Sequence, residues 1–295
     1  MTDRDIPTKG LWRALAGERP LQIVGVINAY AAMMAEQTGF RALYLSGAGV
    51  ANASLGLPDL GMTTLNEVLE EVRRIVGASS LPLLVDADTG WGGALMIGRT
   101  VRELIRAGAA AMHIEDQVAA KRCGHRPGKA LVPAAEMADR IKAAVDARTD
   151  RNFVIMARTD AMAGEGVEGV IDRAGRYREA GAEMLFAEAV TNIDQYRLIT
   201  AAVGMPVLAN LTEFGMTPLY SREELAAAGV ALILYPLSAW RAMNAAALQV
   251  FRAIRHDGTQ AALVDSMQSR AELYRFLGYY AYEEQLDRLF GKDKP

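Results

Sequence analysis

The chain has very little cysteine and no long hydrophobic run. One cysteine among 295 residues excludes a disulfide within the chain, which favours a reducing compartment, so we expect a cytoplasmic protein. No apolar run reaches the roughly 18 residues that a membrane span requires. No sustained apolar stretch precedes Leu21, so no signal peptide is expected. These absences predict a soluble protein with no membrane partner.

A large excess of charge of either sign is also missing. The chain has 32 basic and 35 acidic side chains, which give a formal net charge of -3. A mildly acidic protein does not attract nucleic acid through its overall field, so no nucleic-acid partner is expected. An anionic small molecule would have to be held by local cations.

What the sequence does contain is a repeated alternation of short apolar runs and segments with helical spacing. This alternation predicts parallel strands joined by helices. Four of the helix-to-strand joints carry glycine where a helix can end in a left-handed turn, at Gly39, Gly108, Gly181 and Gly229. Eight units favour a (β/α)8 TIM-type barrel over an open doubly wound sheet. The apolar runs are 21–26, 42–45, 83–85, 111–114, 153–156, 184–186, 206–208 and 231–235.

The composition gives no sign of a domain boundary. No linker rich in proline or serine divides residues 1–258, so we predict a single domain over 1–295 whose last barrel helix lies near 239–256. Residues 259–290 have helical spacing and many apolar side chains, which predicts a C-terminal helical appendage. This appendage could pack on its own barrel or on a neighbouring subunit.

Polar side chains follow the predicted strands, at the end of a barrel where enzymes carry their active sites. Asp86 and Asp88 are two residues apart and would project to one side of an extended strand. Without nearby cysteine or paired histidine, such carboxylates favour Mg²⁺, or Mn²⁺, over Zn²⁺. Solvated loop acids, with Asp88 capping a helix, are the alternative. Other polar residues at these ends are Ser46, Glu115, Asp116, Arg158, Asp160, Glu188 and Asn210.

Two residues on the predicted strands need partners if they are buried. His113 shares its parity with Glu115, so both could face the same interior as the aspartates, although a histidine between apolar neighbours is more often a hydrogen-bonded core residue. Arg158 follows an apolar strand and requires an anion. It could grip a substrate carboxylate or pair with Asp160 or Glu188.

The only cysteine lies in the segment Lys121-Arg122-Cys123-Gly124-His125. A lone cysteine is often a small buried apolar residue. Here the neighbouring cations favour a thiol that handles protons beside a polyanion. The cations lower the thiol pKa and a bound polyanion raises it, so the sequence leaves the protonation state open.

Seven stretches of the sequence are informative when taken together. They are Ser46-Gly47-Ala48-Gly49-Val50, Leu55-Gly56-Leu57-Pro58-Asp59, Val85-Asp86-Ala87-Asp88, His113-Ile114-Glu115-Asp116-Gln117, Lys121-Arg122-Cys123-Gly124-His125, Arg158-Thr159-Asp160 and Asn210-Leu211-Thr212-Glu213. These stretches resemble the isocitrate lyase and phosphoenolpyruvate mutase superfamily, and the similarity runs from about Leu21 to about Leu289. The resemblance implies a barrel whose terminal helices are exchanged between subunits of a homotetramer, and a Cys123 loop that closes over the substrate. Ala48 stands where related chains often have glycine, and it would be strained if the backbone there needed positive φ.

The activity implied by the resemblance is a Mg²⁺-dependent carbon–carbon bond cleavage, in which the tricarboxylate 2-methylisocitrate yields pyruvate and succinate during propionate catabolism in the methylcitrate cycle. Asp86 and Asp88 would hold the metal, and Cys123 would protonate the departing succinate. Tyr44 is the expected initial base, with Glu115 and Glu188 as competitors. Arg158 is assigned to the same catalytic group.

The resemblance assigns further residues to the substrate. Ser46, Gly47 and Ala48 would contact the pyruvate portion, and Asp59, His113 and Glu115 would support the site. The residues expected to hold the substrate carboxylates, or to support them, are Gly124, His125, Arg158, Glu188, Asn210, Leu211, Thr212, Arg241 and Arg270.

Other functions stay open at this point. An isocitrate lyase or an oxaloacetate decarboxylase-type enzyme would use a related acid. A Schiff-base aldolase would need a lysine at the carboxyl end of a strand, and the predicted strands contain none. A non-catalytic metabolite-binding barrel would have little need for the thiol loop.

Overall fold

Eight parallel strands form a closed barrel in this protein, for which a computed structural model describes residues 10–126 and 128–291. Each strand pairs with the next along the chain, and the eighth pairs with the first. The predicted (β/α)8 barrel is confirmed, and the open-sheet alternative is wrong. The strands are β1 (Leu21–Gly25), β2 (Ala42–Leu45), β3 (Leu83–Asp86), β4 (Ala111–Glu115), β5 (Val154–Thr159), β6 (Met184–Ala187), β7 (Val207–Asn210) and β8 (Leu232–Tyr235).

Several strands continue beyond the apolar runs that predicted them. β4 includes Glu115 and β5 includes Arg158, which are paired in the ladder, and β7 reaches Asn210, which pairs with Leu234. Backbone pairing does not require an apolar side chain, so the ladder continues into the polar residues. The site residues are therefore held by strand hydrogen bonds rather than by loops alone.

Helices follow the strands as the periodicity predicts. At the four glycine joints the backbone has φ of 96°, 90°, 104° and 80°, so these turns need a residue that tolerates the left-handed region. Reciprocal capping boxes start α4 (Leu65–Ala78), α8 (Ile193–Val203) and α9 (Arg222–Ala227). The helices before Ser238 are α1 (Gly10–Gly17), α2 (Ala29–Gln37), α3 (Gly47–Gly49), α4 (Leu65–Ala78), α5 (Ala94–Arg106), α6 (Ala134–Asp146), α7 (Met162–Glu179), α8 (Ile193–Val203) and α9 (Arg222–Ala227); a π-helical turn, Val50–Ser54, follows α3.

The core has two layers because strand side chains alternate in direction. One cluster fills the barrel interior and includes Met156 and Leu208, while two others lie between strands and helices. The parity that places Met156 and Leu208 inside also directs Arg158 and Asn210 inward, one step nearer the carboxyl end. The interior residues of the barrel thus change from apolar to polar towards that end.

The chain divides into two compact units, Met1–Ser238 and Ala239–Pro295. Apart from Ser238, the second unit contains α10 (Ser238–Asp257), followed by a 3-10 turn (Ala261–Ser266), α11 (Arg270–Leu277) and α12 (Tyr279–Phe290). No residue of α10 is buried. Large apolar side chains are exposed on the three helices, at Met243, Leu248, Phe251, Ile254, Leu277, Tyr280, Tyr282, Leu286, Leu289 and Phe290.

The predicted domain division, with a single domain over 1–295 and an appendage at 259–290, stays a prediction, as does the exchange of terminal helices. Within residues 10–126 and 128–291, no helix combines the length and the apolar character that a membrane span requires.

Candidate active site

Asp86 and Asp88 converge on the start of α3. The backbone N–H of Gly47 donates to Asp86 Oδ2 over 3.0 Å. A Cβ built on Gly47 would lie 3.2 Å from Asp86 Oδ2 and 3.1 Å from Asp88 Oδ1. Both aspartates are buried, and Asp88 has a left-handed backbone with φ of 47°. The structure thus brings together the two carboxylates that the sequence predicted as a metal site.

Asp86 and Asp88 share cationic neighbours, and each affects the pKa of the other. Lys121 Nζ lies 2.6 Å from Asp88 Oδ1 and 2.6 Å from Asp59 Oδ1. Burial and the negative charge of Asp86 raise the pKa of Asp88 to about 7. Burial also acts on Asp86, but the charge of His113 in its protonated form and the charges of Lys121 and Arg158 outweigh it and lower the pKa of Asp86. Two adjacent buried anions of this kind favour a cation between them.

The donor set fits Mg²⁺ better than Zn²⁺. The part of the chain that the structure describes contains no group of three or more His, Cys, Asp or Glu side chains that could hold a metal ion. Asp86 and Asp88 would contribute two carboxylates, and a Cβ on Gly47 would lie within 3.2 Å of an oxygen of each. Mg²⁺ is commonly bound by one or two carboxylates while it keeps several waters.

Tyr44 and His113 lie beside the metal-site carboxylates in the barrel interior. The Tyr44 hydroxyl is 2.9 Å from His113 Nε2, and it donates to Asp86 Oδ2 over 3.4 Å. Burial lowers the pKa of His113 to about 4, so its ring is neutral at pH 7. Burial and the charge of Asp86 raise the pKa of Tyr44 well above its usual value. The resting pair is therefore a neutral phenol beside a neutral imidazole.

Arg158 is surrounded by three carboxyl groups. Its Nε lies 3.0 Å from Asp160 Oδ2 and 3.3 Å from Glu115 Oε2, and its Nη2 lies 3.4 Å from Glu188 Oε2. The guanidinium also stacks over the Phe186 ring at 5.1 Å. Both partners proposed for a structural pair, Asp160 and Glu188, are thus present. Burial raises the pKa of Glu115 well above its usual value, although the charge of Arg158 opposes this shift.

The Cys123 loop packs directly on Arg158 and Glu188. A Cβ on Gly124 would lie 2.5 Å from Arg158 Nη2 and 2.6 Å from Glu188 Cγ, so only glycine fits without a shift. Burial, together with the charges of Asp59 and Glu188, raises the pKa of the Cys123 thiol. The protonation state that the sequence left open is therefore the neutral thiol, which can donate a proton.

His125 and Asn210 complete the side of the site around Glu188. The Met216 N–H donates to His125 Nδ1 over 3.0 Å, so Nε2 carries the ring hydrogen and points to Glu188 Oε1 at 3.0 Å. Asn210 Nδ2 donates to Glu188 Oε2 over 3.3 Å. Burial would raise the pKa of Glu188, but Arg158 and His125 lower it, so this carboxylate is ionised.

The remaining predicted residues have different positions. Ser46 is buried at the end of β2, and Leu211 and Thr212 are buried after β7. Ala48 lies in α3 and has no positive φ, so alanine there is unstrained. Arg241, in the first turn of α10, and Arg270, at the start of α11, belong to the second unit, and their contact with substrate stays a prediction.

Some functional neighbours were absent from the predicted site. Lys121 lies between Asp59 and Asp88 rather than acting only as a charge beside the thiol. Lys129 lies 2.8 Å from Asp160 Oδ1. Asp160 was expected as a partner of Arg158, but its contact with Lys129 was not. No local signal indicated the partners of the two lysines.

Comparison with known proteins agrees with this geometry. Residues 12–255 match the family model described as phosphoenolpyruvate phosphomutase. The chain belongs to the phosphoenolpyruvate mutase and isocitrate lyase superfamily. A 2-methylisocitrate lyase from Shewanella oneidensis is 63% identical over 282 residues, which cover 96% of this chain and 97% of that protein. The predicted superfamily and the predicted enzyme class, a carbon–carbon lyase, are both confirmed.

Solved structures of this superfamily share the whole fold. The crystal structure of a 2,3-dimethylmalate lyase, described as a superfamily member, matches with a TM-score of 0.87 and 36% identity, covering 97% of this chain and 95% of that one. A phosphonopyruvate hydrolase in complex with oxalate and Mg²⁺ matches with a TM-score of 0.82 and 28% identity, covering 97% and 99%.

Proposed function

We propose that this protein cleaves 2-methylisocitrate to pyruvate and succinate. The observation that carries the proposal is that one end of one barrel holds two buried carboxylates, Asp86 and Asp88, and the loop of Cys123, which packs on Arg158 and Glu188. Retro-aldol cleavage needs charge stabilisation at the forming carbonyl and a proton for the departing carbanion. The Shewanella relative, whose name is 2-methylisocitrate lyase, supports this choice of substrate.

Asp86 and Asp88 are the residues that would hold Mg²⁺ or Mn²⁺. The metal would supply positive charge that stabilises the oxygen on C2 of the substrate as its proton leaves. The related phosphonopyruvate hydrolase, whose structure contains oxalate and Mg²⁺, supports a divalent ion next to a small carboxylate ligand.

Tyr44 is the proposed base for the C2 hydroxyl. Its raised pKa keeps it protonated at rest, so it acts as a base only in its phenolate form, which burial disfavours and the positive charge of Arg158 favours. In that form the Tyr44 oxygen would take the proton of the C2 hydroxyl, while His113 Nε2, 2.9 Å away, would orient it. The competitors fit less well, because Glu115 lies against Arg158 and Glu188 accepts from His125 and Asn210.

The bond-breaking step then moves one electron pair. The C2–C3 pair goes to C3, C2 becomes the carbonyl carbon of pyruvate, and the succinate carbanion spreads its charge into its adjacent carboxylate. Arg158, held by carboxylates and by Phe186, is a fixed donor for that charge. The Cys123 thiol gives its proton to C3. After product release the base returns the proton of the C2 hydroxyl to solvent, and the thiolate regains one.

A kinetic comparison tests this proposal. The full chain should have a higher kcat/KM for 2-methylisocitrate than for isocitrate or oxaloacetate, and its activity should require added Mg²⁺ and be lost with EDTA. Cys123→Ser should bind substrate but lose most of its turnover. Faster isocitrate cleavage would reject the named substrate, and full turnover in Cys123→Ser would reject the acid role.

We also propose that the second unit packs on partner subunits in a homotetramer, with its helices exchanged. The exposed apolar side chains of α10 and α12, such as Phe251 and Leu289, support an intersubunit surface. Sedimentation equilibrium should give four times the 31.9 kDa chain mass. A monomer at micromolar concentration would contradict this assembly.

A further inference from the structure

Lys129 has a buried ammonium group that the proposed reaction does not use. Its side chain is 6% exposed. Nζ donates to the Gly124 carbonyl over 2.6 Å and to Asp160 Oδ1 over 2.8 Å. Burying a cation is costly unless it is paired and hydrogen-bonded. Both contacts of Lys129 therefore contribute to holding it in place, and together they join the residue after Cys123 to the end of β5.

The end of this connection at Asp160 is rigid. The Asp160 side chain is fully buried and accepts from Arg158 through both oxygens, over 3.0 Å and 3.3 Å. Its backbone N–H donates to Asp116 Oδ1 over 2.9 Å. Asp116 Oδ2 in turn accepts from Thr159 Oγ1 over 2.6 Å and from Tyr177 over 2.8 Å. Asp160 is thus held by Asp116 through its backbone and by Arg158 through its side chain. Its carboxylate oxygens accept from both Arg158 and Lys129.

At its other end, the connection made by Lys129 reaches Gly124, which lies in an irregular segment. The base of the Cys123 loop is joined where Val118 N–H donates to the Ala130 carbonyl over 2.9 Å. Near Cys123, the bond from Lys129 and the contact between His125 and Glu188 hold the loop to the barrel. The Lys129 bond reaches the backbone beside the thiol, so its loss should affect the position of Cys123 directly.

We propose that Lys129 is a positioning residue for Cys123. Its ammonium ties the backbone of the Cys123 loop to Asp160, the same side chain that fixes Arg158. The half-buried thiol is thereby held in place, next to the residue that packs on Arg158, before substrate binds. The acid role of Cys123 rests on the proposed function, but the tie between Lys129, Gly124 and Asp160 does not.

Alkylation of the thiol tests, in the absence of substrate, whether the Lys129 hydrogen bonds hold Cys123 in place. Cys123 is the only cysteine in the chain, so the intact mass after iodoacetamide treatment reports this residue alone. In the Mg²⁺-loaded full chain, Lys129→Met should raise the alkylation rate by about tenfold or more, as expected when a hydrogen bond to a charged group is lost. Lys142→Met is the matched control, because Lys142 is 60% exposed and should leave the rate unchanged.

Kinetics give a second readout that general destabilisation would not produce. With 2-methylisocitrate, Lys129→Met should lower kcat by about tenfold or more with a much smaller change in KM, because the thiol is misplaced while substrate contacts remain. Lys129→Gln keeps a donor for the Gly124 carbonyl without the charge, so its alkylation rate should lie between those of the wild type and Lys129→Met.

Equal alkylation rates for the wild type and a folded Lys129→Met would overturn the proposal. If Lys129→Met does not fold, an alkylation rate for Lys129→Gln equal to that of the wild type would overturn it instead. A wild-type chain that does not cleave 2-methylisocitrate would reject the proposed function, while the difference in alkylation would still decide the role of Lys129.

Discussion

Gly124→Ala tests how closely the Cys123 loop must pack for catalysis. The added methyl carbon would lie 2.5 Å from Arg158 Nη2, whereas ordinary contact begins at 3.4 Å. The groups must therefore separate by at least 3.4 − 2.5 = 0.9 Å. Gly124 has no positive φ, so alanine adds no backbone strain and the effect is purely steric.

The loop should move rather than the arginine. Arg158 is held by Glu115, Asp160 and Glu188, whereas the loop is irregular. A displacement of about 1 Å in a catalytic group costs on the order of 100-fold in rate, or about 2.7 kcal/mol of activation free energy. The same shift would lengthen the bond from Lys129 Nζ to the Gly124 carbonyl from 2.6 Å to as much as 2.6 + 0.9 = 3.5 Å.

The assay is kcat at saturating 2-methylisocitrate and Mg²⁺, together with the alkylation rate of Cys123. Gly124→Ala should lose about 100-fold in kcat and react faster with iodoacetamide. Gly175→Ala in α7 is the control, because nothing lies within 4 Å of its added Cβ. It should keep kcat and gain up to about 1 kcal/mol of stability from helix propensity. A Gly124→Ala enzyme with wild-type kcat and alkylation would refute the reasoning.

Three further predictions concern the metal site, the thiol and a surface ion pair. Gly47→Ala should weaken Mn²⁺ binding by about 10- to 100-fold, because the added methyl displaces both metal-site carboxylates. The affinity can be measured by electron paramagnetic resonance, and an unchanged affinity would contradict the convergence of Asp86 and Asp88 on Gly47. The alkylation rate of Cys123 should rise with pH to a midpoint above 9.0, because burial disfavours the thiolate, and a midpoint below this value would contradict that effect. Glu165→Gln should lower the free energy of unfolding by about 0.5 to 1 kcal/mol at neutral pH, a value reduced for partial exposure. The Arg173 hydrogen bonds lower the Glu165 pKa from 4.5, so the stability that Glu165 contributes is present above pH 4.5 and is lost as the pH falls through the lowered pKa. Urea titrations that give the same difference between wild type and Glu165→Gln at neutral pH and well below pH 4.5 would reject this.

The barrel and the interior side chains could be predicted because they depend on local rules. Period-two parity is set by the strand alone, so His113 and Glu115 were expected to face the same interior as Asp86 and Asp88 before any contact was known. Glycine at the four helix-to-strand joints follows from the backbone conformation that each joint needs. These signals are carried by a few adjacent residues.

The ion-pair partners of the loops could not be predicted in this way. Lys121 meets Asp59 from 62 residues away, and Lys129 meets Asp160 from 31 residues away. Such contacts depend on the path of each loop across the barrel mouth, which no periodicity describes. The protonation of Cys123 was open for the same reason, because its pKa depends on burial and on charges from distant segments.

The left-handed backbone of Asp88 has a consequence for how its side chain can be studied. At φ of 47° the residues tolerated best are glycine, asparagine and aspartate. An alanine scan at this position would therefore change the turn and the negative charge together. Asparagine retains the shape of the residue and removes only the ionised oxygen, so it is the replacement that separates the two contributions.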